Sequence, residues 1–269
     1  MDADRHRGIT YTDEGEGRAV VLIHGFPLSR GMWAPQVDAL KGSHRVIAPD
    51  LRGFGESPPR RVATSRVVSM ENHADDIARL LDDLGVSSAI VAGHSMGGYV
   101  ALAFARRHAE RLDGLVLVAT RAVADSAEAA AGRRATAERI RAEGREGVAA
   151  LVEGMVPKLV APGTDDPDRL EAVRVFMASA TPEGVIGALL GMAERPDSSD
   201  LLAEIEAPAL VVTGADDTLI PVSESEAMAL AIPDAELAVI PGAGHMVSFE
   251  HPEEFDGVVR DWLASRDLT

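Results

Sequence analysis

Six short apolar runs decide what this chain can fold into: Ala19-Val20-Val21-Leu22-Ile23, Arg45-Val46-Ile47-Ala48, Ala89-Ile90-Val91-Ala92, Gly114-Leu115-Val116-Leu117-Val118, Ala209-Leu210-Val211-Val212 and Ala235-Glu236-Leu237-Ala238-Val239-Ile240. Continuous rather than alternating apolarity marks strands buried on both faces, the condition of a parallel sheet covered by helices. Residues 71–85 between two of these runs carry helical spacing and end at Gly85, a helix stop. Parallel neighbours need crossover connections, so the fold class expected is α/β, a mostly parallel central sheet flanked by helices. With 269 residues and 46% hydrophobic content, the chain is long enough for one large domain or a domain with an insertion.

The rhythm breaks between about 120 and 199, where Ala, Arg and Glu dominate and no strand-like run occurs. Four helices are predicted there, over 126–143, 145–156, 168–179 and 182–194, separated by Gly144, the Pro162-Gly163 turn and Thr181-Pro182. The stretch reads as a helical cap over the sheet's C-terminal edge, inserted before the strand that bears the acid discussed below. The expected organisation is a core in two parts, 1–119 and 200–269, interrupted by a cap over 120–199.

Composition narrows the function. The absence of Cys excludes a disulfide framework, a thiolate nucleophile and Cys-based zinc sites. A formal charge of −17 repels phosphate backbones, and no basic stripe with interleaved aromatics runs through the chain, so nucleic acid is not an expected partner. Met1 to Arg7 are charged without an apolar stretch behind them, and no window approaches eighteen uninterrupted apolar residues. A cytoplasmic protein without membrane association is expected.

Gly93-His94-Ser95-Met96-Gly97 lies between an apolar run and the helix-forming stretch 98–105. A serine between small residues on a sharp strand-to-helix turn reads as a nucleophile elbow. Serine is a weak nucleophile at neutral pH and needs a base, which in turn needs an orienting group. Acids follow one later strand-like run, in Gly214-Ala215-Asp216-Asp217, and a histidine follows the next, in Gly242-Ala243-Gly244-His245. The order Ser, acid, His is thus complete along the chain.

With His24-Gly25-Phe26-Pro27 after the first long run and Asp50-Leu51-Arg52-Gly53-Phe54-Gly55-Glu56-Ser57 after the next, these motifs resemble the α/β-hydrolase superfamily along nearly the whole core. In motif order and length the chain is similar to its serine esterases and lactonases, the enol-lactonase-like branch in particular. The resemblance implies Ser95 as nucleophile, Asp217 as orienting acid with Asp216 as competitor, and His245 as base. It implies an oxyanion hole made by the backbone N–H groups of Phe26 and Met96. His24 is then a brace for its loop, and the Asp50 to Ser57 segment a stabilising turn. Neither a metal nor a cofactor is required.

The activity so implied is hydrolysis of a small-molecule ester or lactone through an acyl-enzyme, since an epoxide hydrolase or haloalkane dehalogenase of the superfamily carries Asp at the elbow. Trp33, Met155, Phe176 and Leu189 are candidate substrate contacts in a mostly apolar acyl pocket, each with a packing role as its alternative. Arg121 follows a strand end and is expected either to bind a substrate carboxylate or to form a salt bridge. Two competing functions share the pattern: a cofactor-free haloperoxidase or perhydrolase, and a ligand receptor or signalling protein on a hydrolase scaffold.

Overall fold

In the computed structural model, which describes residues 4–6 (backbone), 8–59 and 67–269, the apolar runs become strands, and all but the last bury as their composition demands. The strands are β1 (Asp4–His6), β2 (Ile9–Glu14), β3 (Ala19–Ile23), β4 (Arg45–Pro49), β5 (Ala89–His94), β6 (Leu112–Val118), β7 (Ala209–Gly214) and β8 (Ala235–Ile240). They form one sheet in the order β1-β2-β4-β3-β5-β6-β7-β8. From β4 to β8 all pairings are parallel, while β2 runs antiparallel to β1 and to β4. The sheet is therefore mostly parallel, as expected. Most of the N-terminal segment read for its charge lies outside the described residues.

The helices are α1 (Ala34–Leu40), α2 (Met70–Asp83), α3 (Met96–Arg107), α4 (Ala127–Glu143), α5 (Arg145–Leu159), α6 (Pro167–Met177), α7 (Pro182–Glu194), α8 (Ser199–Leu202), α9 (Val222–Ala231), α10 (Val247–Glu250) and α11 (Pro252–Ser265). The chain steps from β3 through α1 to β4 on one side, then from β4 through α2 to β5 on the other side of β3. Right-handed crossovers in opposite directions put their helices on opposite faces of the sheet. Accordingly α1 packs with α11 and α2 packs with α3. The reversal of direction lies between β3 and β5, where an open α/β sheet forms a crevice at the carboxyl ends of its strands.

Two strands depart from the sequence reading. The short β2 carries polar residues, yet Thr10 and Thr12 are buried. Thr10 is satisfied by the 50–57 loop: its N–H donates to Ser57 Oγ at 2.8 Å and its hydroxyl to the Glu56 carbonyl at 3.1 Å. Strand β8 closes the sheet, and its Leu237 and Val239 stay 39% and 40% exposed, so its apolar run is not buried on both faces.

Among the described residues no strand occurs between β6 and β7, and α4 to α7 fill the interval. Their starts follow local chemistry. Ser126 accepts the Ala129 N–H, Asp166 accepts those of Asp168 and Arg169, and Thr181 accepts that of Gly184, with proline opening α6 and α7. Gly144, at φ +62°, separates α4 from α5. Helix α5 runs past Pro157 to Leu159, beyond the expected stop at 156. Proline inside a helix removes one donor and crowds the carbonyl four residues before it, and here only two residues of α5 follow it. Helix α7 is apolar on most of its circumference because it is buried between other helices, Gly53 and the Val68–Ser69 backbone. No single helix is long and apolar enough to cross a membrane among the described residues, although α6 and α7, bent 90° to each other, reach that apolarity as a pair.

Candidate active site

Because β3 to β8 are parallel, the loops following them converge on one edge: His24 to Trp33 after β3, Asp50 after β4, Ser95 after β5, Thr120 after β6, Asp217 after β7 and His245 after β8. Ser95 sits between β5 and α3 at φ 52° and ψ −113°, a left-handed backbone that costs a non-glycine residue of order 1–3 kcal/mol. The turn holds only because its neighbours are glycines. A Cβ on Gly93 would lie 2.1 Å from the Gly97 carbonyl oxygen, and one on Gly97 would lie 2.3 Å from that of Ile23. The strained serine is further fixed through its backbone: its N–H donates to the Val118 carbonyl at 2.8 Å, and its carbonyl accepts the Thr120 hydroxyl at 2.8 Å.

His245 Nδ1 lies 2.7 Å from Asp217 Oδ2, and both side chains are buried. Asp217 Oδ1 accepts the amides of Leu219 at 2.8 Å and Ile220 at 3.0 Å. Burial opposes ionisation of Asp217, but the His245 contact and the two amides outweigh it and hold the carboxyl below its usual range. Asp216 is exposed and contributes only its backbone to this corner, donating to the Ala243 carbonyl. Of the two candidate acids, Asp217 is the one that lies against His245.

His94 is a partner that the sequence reading left without a role. Its Nε2 donates to the His245 carbonyl at 2.8 Å, and its ring lies 4.9 Å from that of His245. Burial, followed by repulsion from His245, pushes its pKa down to about 3, so it is neutral. The residue before the elbow serine thus holds the backbone of the histidine. No local signal could have announced a contact across 151 residues.

The loop after β3 is built from its own side chains. His24 Nδ1 donates to the Gly25 carbonyl at 2.8 Å and Nε2 accepts the Leu51 N–H at 2.9 Å, the bracing role expected of it. Phe26 follows, joined to Pro27 by a cis peptide bond and edge-on to Phe54. Met96 opens α3, so its N–H belongs to the first helical turn, which has no intrahelical acceptor. The Asp50 turn is likewise internally wired: its buried carboxylate accepts the Arg30 and Glu56 amides at 2.7 and 2.9 Å and pairs with the Arg30 guanidinium.

The candidate substrate contacts separate. Trp33 is wholly buried and lies edge-on to His94 and tilted against Phe255, on the α1–α11 side of the sheet, so it is a core residue beneath the site. Phe176, in α6, lies edge-on to Phe249 and above Gly31. Met155 is half-buried against the core cluster and Leu189 is buried in α7. Arg121 joins an ionic cluster in which the nearly inaccessible Asp125 carboxylate also meets Arg133 and Arg195, while Arg195 stacks 4.0 Å over the Tyr99 ring. The ion pair with Asp125, at 3.2 Å, is the salt bridge offered as one of its two expected roles. No group of three or more His, Asp or Glu suited to a metal ion occurs among the described residues.

Comparison with known proteins places the chain among hydrolases. The chain is 47% identical to a thermophilic esterase from Thermogutta terrifontis whose malate-bound structure is known, with a TM-score of 0.90 over 96% of this chain and 93% of that one. It is 28% identical to the enol-lactonase from Burkholderia xenovorans LB400, with a TM-score of 0.85 over 98% of this chain and 100% of that one. RutD of Caulobacter sp. (strain K31), provisionally named a carbamate hydrolase, is 33% identical over 251 residues, 92% of this chain and 91% of its own length. The model of the alpha/beta hydrolase family matches residues 20–258, and the chain belongs to that family of hydrolases.

Proposed function

We propose that the protein is a serine hydrolase that cleaves a carboxylic ester or lactone of a small molecule through an acyl-enzyme on Ser95. The observation that carries this reading is the buried pair of Asp217 and His245. An ionised Asp217 can only accept, so Nδ1 of His245 carries the proton and Nε2 is left as the free base. In the reaction His245 Nε2 takes the Ser95 hydroxyl proton as Oγ bonds to the carbonyl carbon. The same proton passes to the departing alcohol oxygen as the acyl bond to it breaks. Water then adds to the acyl-enzyme, giving its proton to His245, and Ser95 leaves with that proton.

The amides of Met96 and Phe26 are the donors for the oxyanion, each contributing about a hundredfold to a thousandfold in rate. Selectivity belongs to the seam where Phe176 meets the core loops, because the sheet edge only presents the reacting groups. The ester reading is supported by the esterase of 47% identity, which aligns over 96% of this chain. A fluorophosphonate adduct located by mass spectrometry tests it, together with turnover of esters of graded acyl length, lactones and aryl carbamates. Labelling at Ser95 and faster turnover of esters or lactones than of carbamates are expected. An adduct elsewhere, or none, refutes the mechanism, and a preference for carbamates refutes the substrate class.

A further inference from the structure

Glu250 closes α10 with its side chain buried, 5% of the residue being exposed. Burial pushes its carboxyl above the usual range even though the amides of Ala161 and Gly244, and beyond them Arg169 and His251, favour the charged form. A carboxyl group so placed needs partners, and it has two, both backbone amides. Oε1 accepts the N–H of Gly244, the residue before His245, at 3.0 Å. Oε2 accepts the N–H of Ala161, just beyond the end of α5, at 2.7 Å.

The two segments also meet directly. The Met246 N–H donates to the Leu159 carbonyl at 2.9 Å, and a Cβ on Gly244 would lie 2.3 Å from the Ala161 nitrogen. The loop carrying His245 is therefore attached to the cap helix on both sides of the histidine, through Gly244 and Met246. Its inner side is attached to β5 through His94. Only a group with two acceptor oxygens can bridge Gly244 and Ala161, because an amide offers one acceptor and turns a donor toward the second N–H.

We propose that Glu250 is a positioning residue for hydrolysis: one carboxyl group sets the His245 loop and the end of α5 in a fixed relation, so that the base is in register only when the cap is seated. The inference rests on the reading of His245 as the general base. Misplacing a base by a fraction of an ångström acts on the chemical step, whereas a carboxyl group that merely stabilised the fold would leave the turnover of folded enzyme unchanged.

Glu250→Gln and Glu250→Ala test this on the full-length protein, assayed with a short-chain ester at a temperature where circular dichroism reports each variant folded. In Glu250→Gln, kcat is expected to fall between about tenfold and a hundredfold with KM within about threefold, and to fall further in Glu250→Ala. The rate of fluorophosphonate labelling at Ser95 should fall in step with kcat. A folded Glu250→Gln protein whose kcat stays within about twofold of the parent, or whose loss lies in KM alone, overturns the proposal. Should neither variant fold, amide hydrogen exchange of the unaltered protein decides: Gly244 and Ala161 must be protected together, and free exchange of either refutes the clamp. Failure of the parent protein to be labelled at Ser95 refutes the reading of the mechanism instead, and leaves the exchange result to judge Glu250.

Discussion

Asp217 faces two ways, taking the His245 contact on one oxygen and two loop amides on the other. Asp217→Asn keeps the volume but places a donor where Nδ1–H must be accepted, which favours the wrong tautomer. A loss of about 10⁴-fold in kcat is expected, read from ester turnover, with little change in Tm. Asp125 differs because it is structural: its carboxylate answers Arg121, Arg133 and the buried Arg195. Three guanidinium groups outweigh its burial and hold it ionised. Asp125→Ala leaves Arg195 unpaired beside Tyr99 and should cost about 3–5 kcal/mol in urea unfolding. Since Arg121 is engaged there, Arg121→Ala should change KM for carboxylate-bearing and neutral lactones by the same factor. A selective loss for the carboxylate substrates would contradict this placement.

The helices between β6 and β7 meet the core through backbone as much as through side chains. Helix α7 docks on the 50–57 loop, where the Thr181 N–H and hydroxyl both donate to the Gly53 carbonyl, at 2.9 and 3.0 Å. A Cβ on Gly184 would lie 2.4 Å from that same oxygen. Gly184→Ala must therefore move α7 off the loop, at a cost of about 1–3 kcal/mol by overpacking. Gly132 in α4 and Gly154 in α5 have nothing within 4 Å of an added Cβ. Alanine at either should stabilise by about 0.5–1 kcal/mol, so thermal melts of the three variants should split in sign. Helix existence was legible locally, from Ser126, Gly144 and Thr181-Pro182 as punctuation. The persistence of α5 past Pro157 was not, because its last turn is fixed by the Leu159 carbonyl, which receives the Met246 N–H from a segment far along the chain.

The whole molecule carries 43 acidic against 26 basic residues, yet its response to acid should be set by buried histidines as well as by net charge. The folded pKa of His94 is depressed to about 3, and that of His24 is also lowered by burial. A histidine held neutral in the fold binds its proton first in the unfolded chain. Its contribution is therefore fully present above the unfolded value of about 6.5 and is lost as pH falls toward the folded value. Each such proton gives a slope of about 1.4 kcal/mol per pH unit inside that window. His94→Gln, whose amide can still donate toward the His245 carbonyl, should flatten the stability profile between about pH 6.5 and 3 by close to one proton. Chemical denaturation at a series of pH values measures the slope, and an unchanged slope would place the missing proton elsewhere.

Apolar runs of four to six residues, glycines around Ser95 and the order of Ser95, Asp217 and His245 are local facts, and they were sufficient to determine an α/β sheet, an elbow and the three candidate reacting groups. Burial and turn geometry depend on neighbours a few residues away, which a sequence displays. The tertiary structure alone set Asp217 rather than Asp216 against His245, joined Arg195 to the Arg121–Asp125 pair, placed Trp33 in the core, and brought His94 and Glu250 to the two sides of the His245 loop. Each of those outcomes depends on a hydrogen-bond acceptor or a packing surface supplied by a separate strand or helix. Such partners have no spacing rule along the chain, because only the folded sheet brings them together.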